Sequence, residues 1–149
     1  MSFSQKVVYA LRATYELAQR QGQGPVSISI LADVQCIPPR FLENILLQLK
    51  QSGILESVRG KDGGYLLARP ANLVTVGDVL RAAEGPLYPI TCLGGKAQET
   101  CPMRDDCVFL PMWRRAQEAM LAVYDGTSFE DLVSKARQNQ ERFVPMYSI

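Results

Sequence analysis

The chain has 149 residues, 47% of them hydrophobic, enough to build one core of ordinary size. Its 16 basic and 15 acidic residues leave a formal net charge of +1, so the overall field announces no polyanionic partner and any nucleic-acid argument rests on where charges are placed. Histidine is absent, which removes the commonest general base, the usual nitrogen ligand of zinc and the imidazole dyads of most familiar hydrolases.

No apolar run reaches the roughly 18 residues of a membrane span. The segment VVYALRATYELA near the start is interrupted by Arg12 and Glu16, where a signal peptide stays apolar. A soluble, cytoplasmic protein with no membrane partner is expected.

Residues 4–20 place Val7, Val8, Leu11, Tyr15 and Ala18 at helical spacing, with Gln5, Arg12, Glu16 and Gln19 elsewhere, and so predict an amphipathic helix. QGQGP at 21–25 breaks it, after which Ser27 can cap a short second helix carrying Ile30, Leu31 and Val34. A turn follows at 35–38. Pro39 suits the first turn of a third helix, where a missing N–H costs nothing. Phe41, Leu42, Ile45, Leu46 and Leu49 then share an inward face, and Arg40, Glu43, Asn44 and Gln48 point outward. Gly53 stops that helix. ILESV at 54–58 and YLLA at 65–68 read as strands, joined by RGKDGG at 59–64 into a hairpin.

Thr75 can cap a further helix over 76–85, closed by Gly85 and Pro86. Residues 86–107 show neither period and are rich in Gly, Pro and Cys. A helix from about 108 to 124 follows, with Leu110, Trp113, Met120 and Tyr124 on one stripe and Met112, Ala116, Ala119 and Val123 on a second. A partner subunit is the simplest source of a surface for that second row, and Trp113 and Met120 read as dimer core. Ser128 caps a last helix to about residue 139, and QERFVPMYSI at the end has no clear period.

The predicted fold is mainly α with a small β-hairpin wing: a winged helix-turn-helix DNA-binding domain at 1–85, a cysteine-containing cofactor loop at 86–107, dimerisation helices at 108–140 and a tail at 141–149. In a winged helix-turn-helix the second short helix enters the major groove. Arg40 can reach phosphate or guanine, Glu43 can accept from cytosine, and Asn44 or Gln48 can pair with adenine. Ser29 and Pro39, in the opening turns of the two short helices, complete that face. Arg59 and Lys61, beside Gly60, Gly63 and Gly64, put cations on a protruding hairpin, as backbone or minor-groove contact requires. From Arg40 to Arg69 the excess is modest, five basic residues against three acidic.

Of four cysteines, Cys92, Cys101 and Cys107 lie in one stretch with eight and then five residues between them, and Cys36 stands apart in the predicted turn, where a lone small thiol is expected as buried packing. In a cytoplasmic protein such a triplet points to a metal or redox site ahead of structural disulfides. Three thiolates suit an iron-sulphur cluster or zinc, and spacing alone does not choose between them. The absence of a CxxC pair argues against a thiol oxidoreductase, so no enzyme activity is expected.

The residues Ser29, Leu42, Glu43, Gly53, Val58, Arg59, Gly60, Gly63, Gly64, Tyr65, Leu66, Ala68, Arg69 and Pro70, then TVGDV at 75–79 and EGP at 84–86, resemble the Rrf2 family of bacterial transcription regulators over residues 1 to about 135. The resemblance implies a homodimer with a long crossing helix, a winged head reading a palindromic operator in double-stranded DNA, and a sensor loop with three cysteines. It implies DNA contact by Glu43 and Arg59, and an iron-sulphur cluster on Cys92, Cys101 and Cys107, as 2Fe-2S ahead of 4Fe-4S. The sequence departs from the pattern in two places. The first cysteine interval is longer than in the best-known members, and Val8 and Tyr9 stand where some relatives carry an acidic ligand. Glu99, Asp105, Asp106, a small thiol or an exchangeable group is left as the fourth ligand. The rival expectation is a cofactor-free regulator using the same loop as a thiol switch or as a docking surface for a partner enzyme.

Overall fold

A computed structural model describes residues 2–142. Helix α1 (Gln5–Gln19) runs through the middle of the core and packs against α2 (Ile28–Gln35), α3 (Pro39–Gln51), α4 (Val76–Glu84) and α7 (Phe129–Arg142). Its buried positions are Val7, Ala10, Ala13, Thr14, Glu16, Leu17 and Ala18. Val7 and Ala18 of the expected stripe are buried, whereas Val8 is exposed, Leu11 and Tyr15 are only partly covered, and Glu16, expected outside, is buried. Helices approach α1 from several sides, and its alanines permit that closeness, so small residues take the interior positions that a hydrophobicity pattern gives to larger ones.

Ser27 caps α2 as expected, its hydroxyl accepting from the Ile30 N–H at 3.3 Å. Leu31 and Ala32 are buried, whereas Ile30 and Val34 lie exposed. Pro39 opens α3, and the helix closes with the Ile54 N–H donating to the Leu49 carbonyl at 3.0 Å. Leu42, Ile45, Leu46 and Leu49 form its buried face.

Strands β1 (Leu55–Val58) and β2 (Gly64–Leu67) pair antiparallel, Leu55 opposite Leu67 and Val58 opposite Gly64. Val26 bridges to Tyr65, tying the hairpin to the segment that enters α2. At Gly64 a Cβ would overlap the Val26 carbonyl, so a side chain there would push the wing off the head.

Thr75 and Asp78 form a reciprocal capping box at the start of α4. Residues 86–107, read from sequence as without period, contain a 3-10 turn at Thr91–Leu93 and a short helix, α5 (Gly95–Thr100). Six residues give too little periodicity to register. Helix α6 (Leu110–Asp125) follows. Ser128 caps α7, accepting from the Asp131 N–H at 3.1 Å while Asp131 accepts from the Ser128 N–H at 2.9 Å.

Phe129 and Val133 anchor α7 in the same core as α1 and α4; the Val76 N–H donates to the Thr127 carbonyl and the Phe129 N–H to the Val74 carbonyl, at 2.9 Å each. Most of the expected tail lies outside the described residues, since α7 continues to Arg142. Among the described residues no helix is long and apolar enough to cross a membrane.

Candidate DNA interface and cysteine loop

Helices α2 and α3 meet through Cys36, Ile37 and Pro38. Cys36 adopts a left-handed conformation (φ 52°), and the Ile37 N–H donates to the Ala32 carbonyl at 2.9 Å, which lets the chain reverse within three residues. Ile37 is buried and Cys36 exposed, so Cys36 is not the packing thiol expected from sequence: the buried position of the turn went to its neighbour. A network beneath α2 holds the motif to α1. Glu16, only 4% exposed, accepts from Arg20 Nε at 2.6 Å and from Gln35 Nε2 at 2.7 Å, while Arg12 donates to the Gln35 side chain and carbonyl. That buried carboxylate is charge-paired and hydrogen-bonded, the condition under which burial is tolerable.

With its apolar face fixed inward, α3 presents Arg40, Glu43, Asn44, Leu47 and Gln48 to solvent. Pro39 and Ser29 are exposed beside them, the Ser29 hydroxyl 3.2 Å from that of Ser27. Arg59 and Lys61 are exposed on the hairpin turn. Among the described residues none of Arg40, Glu43, Arg59 and Lys61 makes an ion pair, so their charges remain free for a ligand. Lys50 Nζ donates to the Ser57 hydroxyl at 2.6 Å and braces the wing against α3.

Sequence reasoning missed Leu47, 49% exposed at the centre of this face, where an apolar side chain can meet a thymine methyl. Helical spacing from Arg40, Asn44 and Gln51 is the signal that finds it. Phe41 corrects a second expectation. Placed inward from sequence, it is 63% exposed, because the buried arc of α3 is centred on Leu42, Ile45, Leu46 and Leu49 and leaves position 41 at its edge.

Cys92 lies in the 3-10 turn, Cys101 at the end of α5 and Cys107 three residues before α6, where its carbonyl accepts from the Leu110 N–H at 3.3 Å. All three thiols are free and half-buried. The loop is pinned at its entry, where Gln117 Nε2 donates to the Leu87 carbonyl at 3.0 Å and Gly94 packs so closely on the Tyr88 ring that a Cβ would overlap it. As a donor set, three thiols on one Gly-rich loop fit a soft metal centre. Among the described residues, however, no three Cys, Asp or Glu side chains are gathered around one ion position, and Glu99, Asp105 and Asp106 are exposed outside any such group.

Helix α6 has no buried residue. Trp113, Gln117, Met120, Leu121 and Tyr124 are half-covered, while Met112, Ala116, Ala119 and Val123 are exposed, so the second apolar row has no partner among the described residues.

The fold and this surface define a winged helix-turn-helix regulator of transcription. The sequence profile described as "Rrf2: Iron-dependent Transcriptional regulator" matches residues 3–135, and the chain belongs to the Rrf2 family. It is 32% identical over 144 residues to the HTH-type transcriptional regulator CymR of Bacillus subtilis (strain 168), covering 97% of this chain and 98% of that one. It is also 32% identical over 141 residues to the regulator IscR of Xenorhabdus nematophila, covering 95% and 82%. The solved structure of CymR, described as the global cysteine regulator of B. subtilis, superposes with a TM-score of 0.74 at 31% identity, covering 91% of this chain and 98% of that one. T. potens IscR superposes with a TM-score of 0.73 at 29% identity, covering 94% and 91%. The relatives are transcriptional regulators and not enzymes, and this chain is a DNA-binding regulator of the same kind.

Proposed function

We propose that the chain acts as a cytoplasmic homodimer that reads a palindromic operator in double-stranded DNA and reports a redox, iron or nitric-oxide signal through the loop bearing Cys92, Cys101 and Cys107. The winged head at 1–85 is the reader, and the segment 108–140 supplies the dimer contact through α6. Arg40, Glu43, Asn44 and Gln48 would face base edges, with Ser29, Pro39, Arg59 and Lys61 on the backbone; a dimer sets two such faces against two half-sites.

The observation that carries the sensor assignment is the placement of three free, half-buried thiols in the one segment that joins the head to α6. The occupant they suit is an iron-sulphur cluster, 2Fe-2S ahead of 4Fe-4S, which when bound supplies a redox-responsive iron centre. The chain's own part is to bring the thiols together: Gln117 and the Tyr88–Gly94 contact hold one end of the loop while the remainder, backed by few buried side chains, closes around the group. Closure would pull on the start of α6, which the Arg81–Asp125 pair and its packing on α4 tie to the head.

A second reading, a cofactor-free thiol switch, draws on two observations. The described residues gather no metal-holding group, and CymR is described as a cysteine regulator. Purification without air separates the two. Brown protein containing iron and sulphide, with visible absorption lost in Cys101→Ser, supports the cluster. Colourless, iron-free protein whose operator affinity falls on mild oxidation and returns with thiol supports the switch. Operator affinity indifferent to both treatments sinks the sensor, and a random DNA pool that yields no palindromic site sinks the DNA reading.

A further inference from the structure

Between α1 and α3 lies a cavity of about 480 Å³, lined by Lys6, Tyr9, Phe41, Asn44 and Ile45 with the start of α1 at its rim. Its apolar wall explains Phe41: an aromatic ring on a recognition helix that is neither in the core nor among the polar base-reading residues. Such a ring has apolar surface to cover, and aromatic pairs favour mutual packing. Elsewhere among the described residues a second pair of large apolar side chains is uncovered. Val108 is 81% and Phe109 62% exposed, immediately after Cys107 and at the threshold of α6.

The free row of α6 indicates how the two come together. Met112, Ala116, Ala119 and Val123 are spaced symmetrically about the helix middle, so in an antiparallel pair Met112 of each copy faces Val123 of the other and the alanines meet at a close crossing. That pairing sets residue 109 of one copy beside the Tyr124–Gly126 end of the other. Phe3 packs edge-on against Tyr124, ring centroids 6.1 Å apart, and leads directly into the α1 residues that line the cavity. Charge agrees with shape. Asp105 and Asp106 precede the protruding pair and Lys6 stands at the cavity, and none of these three forms an ion pair within the described chain.

We infer that in the dimer Phe109 of each subunit, with Val108 beside it, enters the α1–α3 cavity of the partner subunit, packing on Tyr9, Phe41 and Ile45. The side chain two places after Cys107 then touches the DNA-reading helix of the other copy, and a change at the sensor loop of one subunit displaces the recognition helix of its partner. This rests on the homodimer proposed above.

The test places the photoreactive residue p-benzoylphenylalanine at position 109 of the full chain, with sedimentation velocity run first. Irradiation is expected to give a covalent dimer whose tryptic cross-links fall in VVYALR (7–12) or FLENILLQLK (41–50). In parallel, Phe109→Ser and Phe41→Ala should each weaken dimerisation about tenfold, and the double variant little further, as for two residues sharing one contact. A sedimenting dimer whose cross-links fall elsewhere, or that forms none, overturns the insertion and leaves the dimer standing. A monomer at micromolar concentration overturns the dimer itself.

Discussion

The guanidinium of Arg81, in the last turn of α4, donates to both carboxylate oxygens of Asp125, in the last turn of α6, at 2.6 and 3.3 Å. Among the described residues it is the one ion pair that joins the head to α6. The hydrogen bond to Asp125 is the main reason the Arg81 pKa lies above its ordinary value. Both side chains are about two-fifths exposed, so the pair is worth about 0.5–1 kcal/mol rather than the larger value of a buried one. Asp125→Ala and Arg81→Ala should each lower the thermal midpoint by a few degrees. A double-mutant cycle in calorimetry should return most of that loss as coupling; purely additive losses would show that the bridge holds nothing.

Asp78 caps α4 and meets Arg69 at 2.9 Å. Burial pushes its carboxyl up, but the Thr75 hydrogen bonds and the charges of Arg69 and Arg81 together outweigh that and hold it below the ordinary 3.8. A carboxyl depressed in the folded state stabilises fully above its unfolded pKa, and that stability is lost as pH falls through the folded value. Urea unfolding of wild type and Asp78→Asn should therefore differ by a constant amount from pH 7 to about 5, and the gap should shrink below pH 4. A gap that persists unchanged to pH 3 would falsify this linkage.

Base-reading and backbone-contacting residues should separate in DNA titrations. Glu43→Ala is expected to relax discrimination at one base pair by about 1–3 kcal/mol while leaving the salt dependence almost untouched. Arg59→Ala and Lys61→Ala are expected to weaken operator and scrambled DNA alike, each reducing the slope of log affinity against log salt by about 1. Fluorescence anisotropy over a salt series reads both quantities, and the interchange of the two behaviours would reverse the assignment of helix and wing.

At Gly94 the backbone lies against the Tyr88 ring. Gly94→Ala should cost about 1–3 kcal/mol through overpacking, measured by chemical unfolding. Pairing it with Tyr88→Ala should recover part of the loss, because the ring that obstructs the new methyl is gone. If the double variant is simply the sum of the singles, the close packing at the loop entry is not what Gly94 provides.

The head was readable from sequence because its signals are local. Ser27 before α2, Thr75 at α4 and Ser128 at α7 each satisfy an N–H group a few residues away, Pro39 opens α3 where its missing N–H costs nothing, and the hairpin announces itself by glycines between two short apolar runs. The polar members of the outward face of α3, Arg40, Glu43, Asn44 and Gln48, were equally legible, since four leucine and isoleucine positions fix the buried arc. Helix α5 stayed hidden because one and a half turns carry no usable period. Cys36 and Phe41 were misplaced for another reason: whether a thiol or a ring at the edge of an apolar arc is covered depends on which neighbour reaches it, and that neighbour is remote in sequence.

Residue order alone therefore determined the succession of helices, the hairpin, the polar face of α3 and the grouping of three thiols in one loop, because each depends on interactions within a turn or two of chain. Only the tertiary structure decided that α1 lies at the centre of the core with its alanines inward, that α7 joins that core through Phe129, that α6 is left without a buried residue, and that a cavity opens behind Phe41. Those outcomes turn on which surfaces meet across the fold, and burial is a property of the pair of surfaces that meet and not of either segment alone.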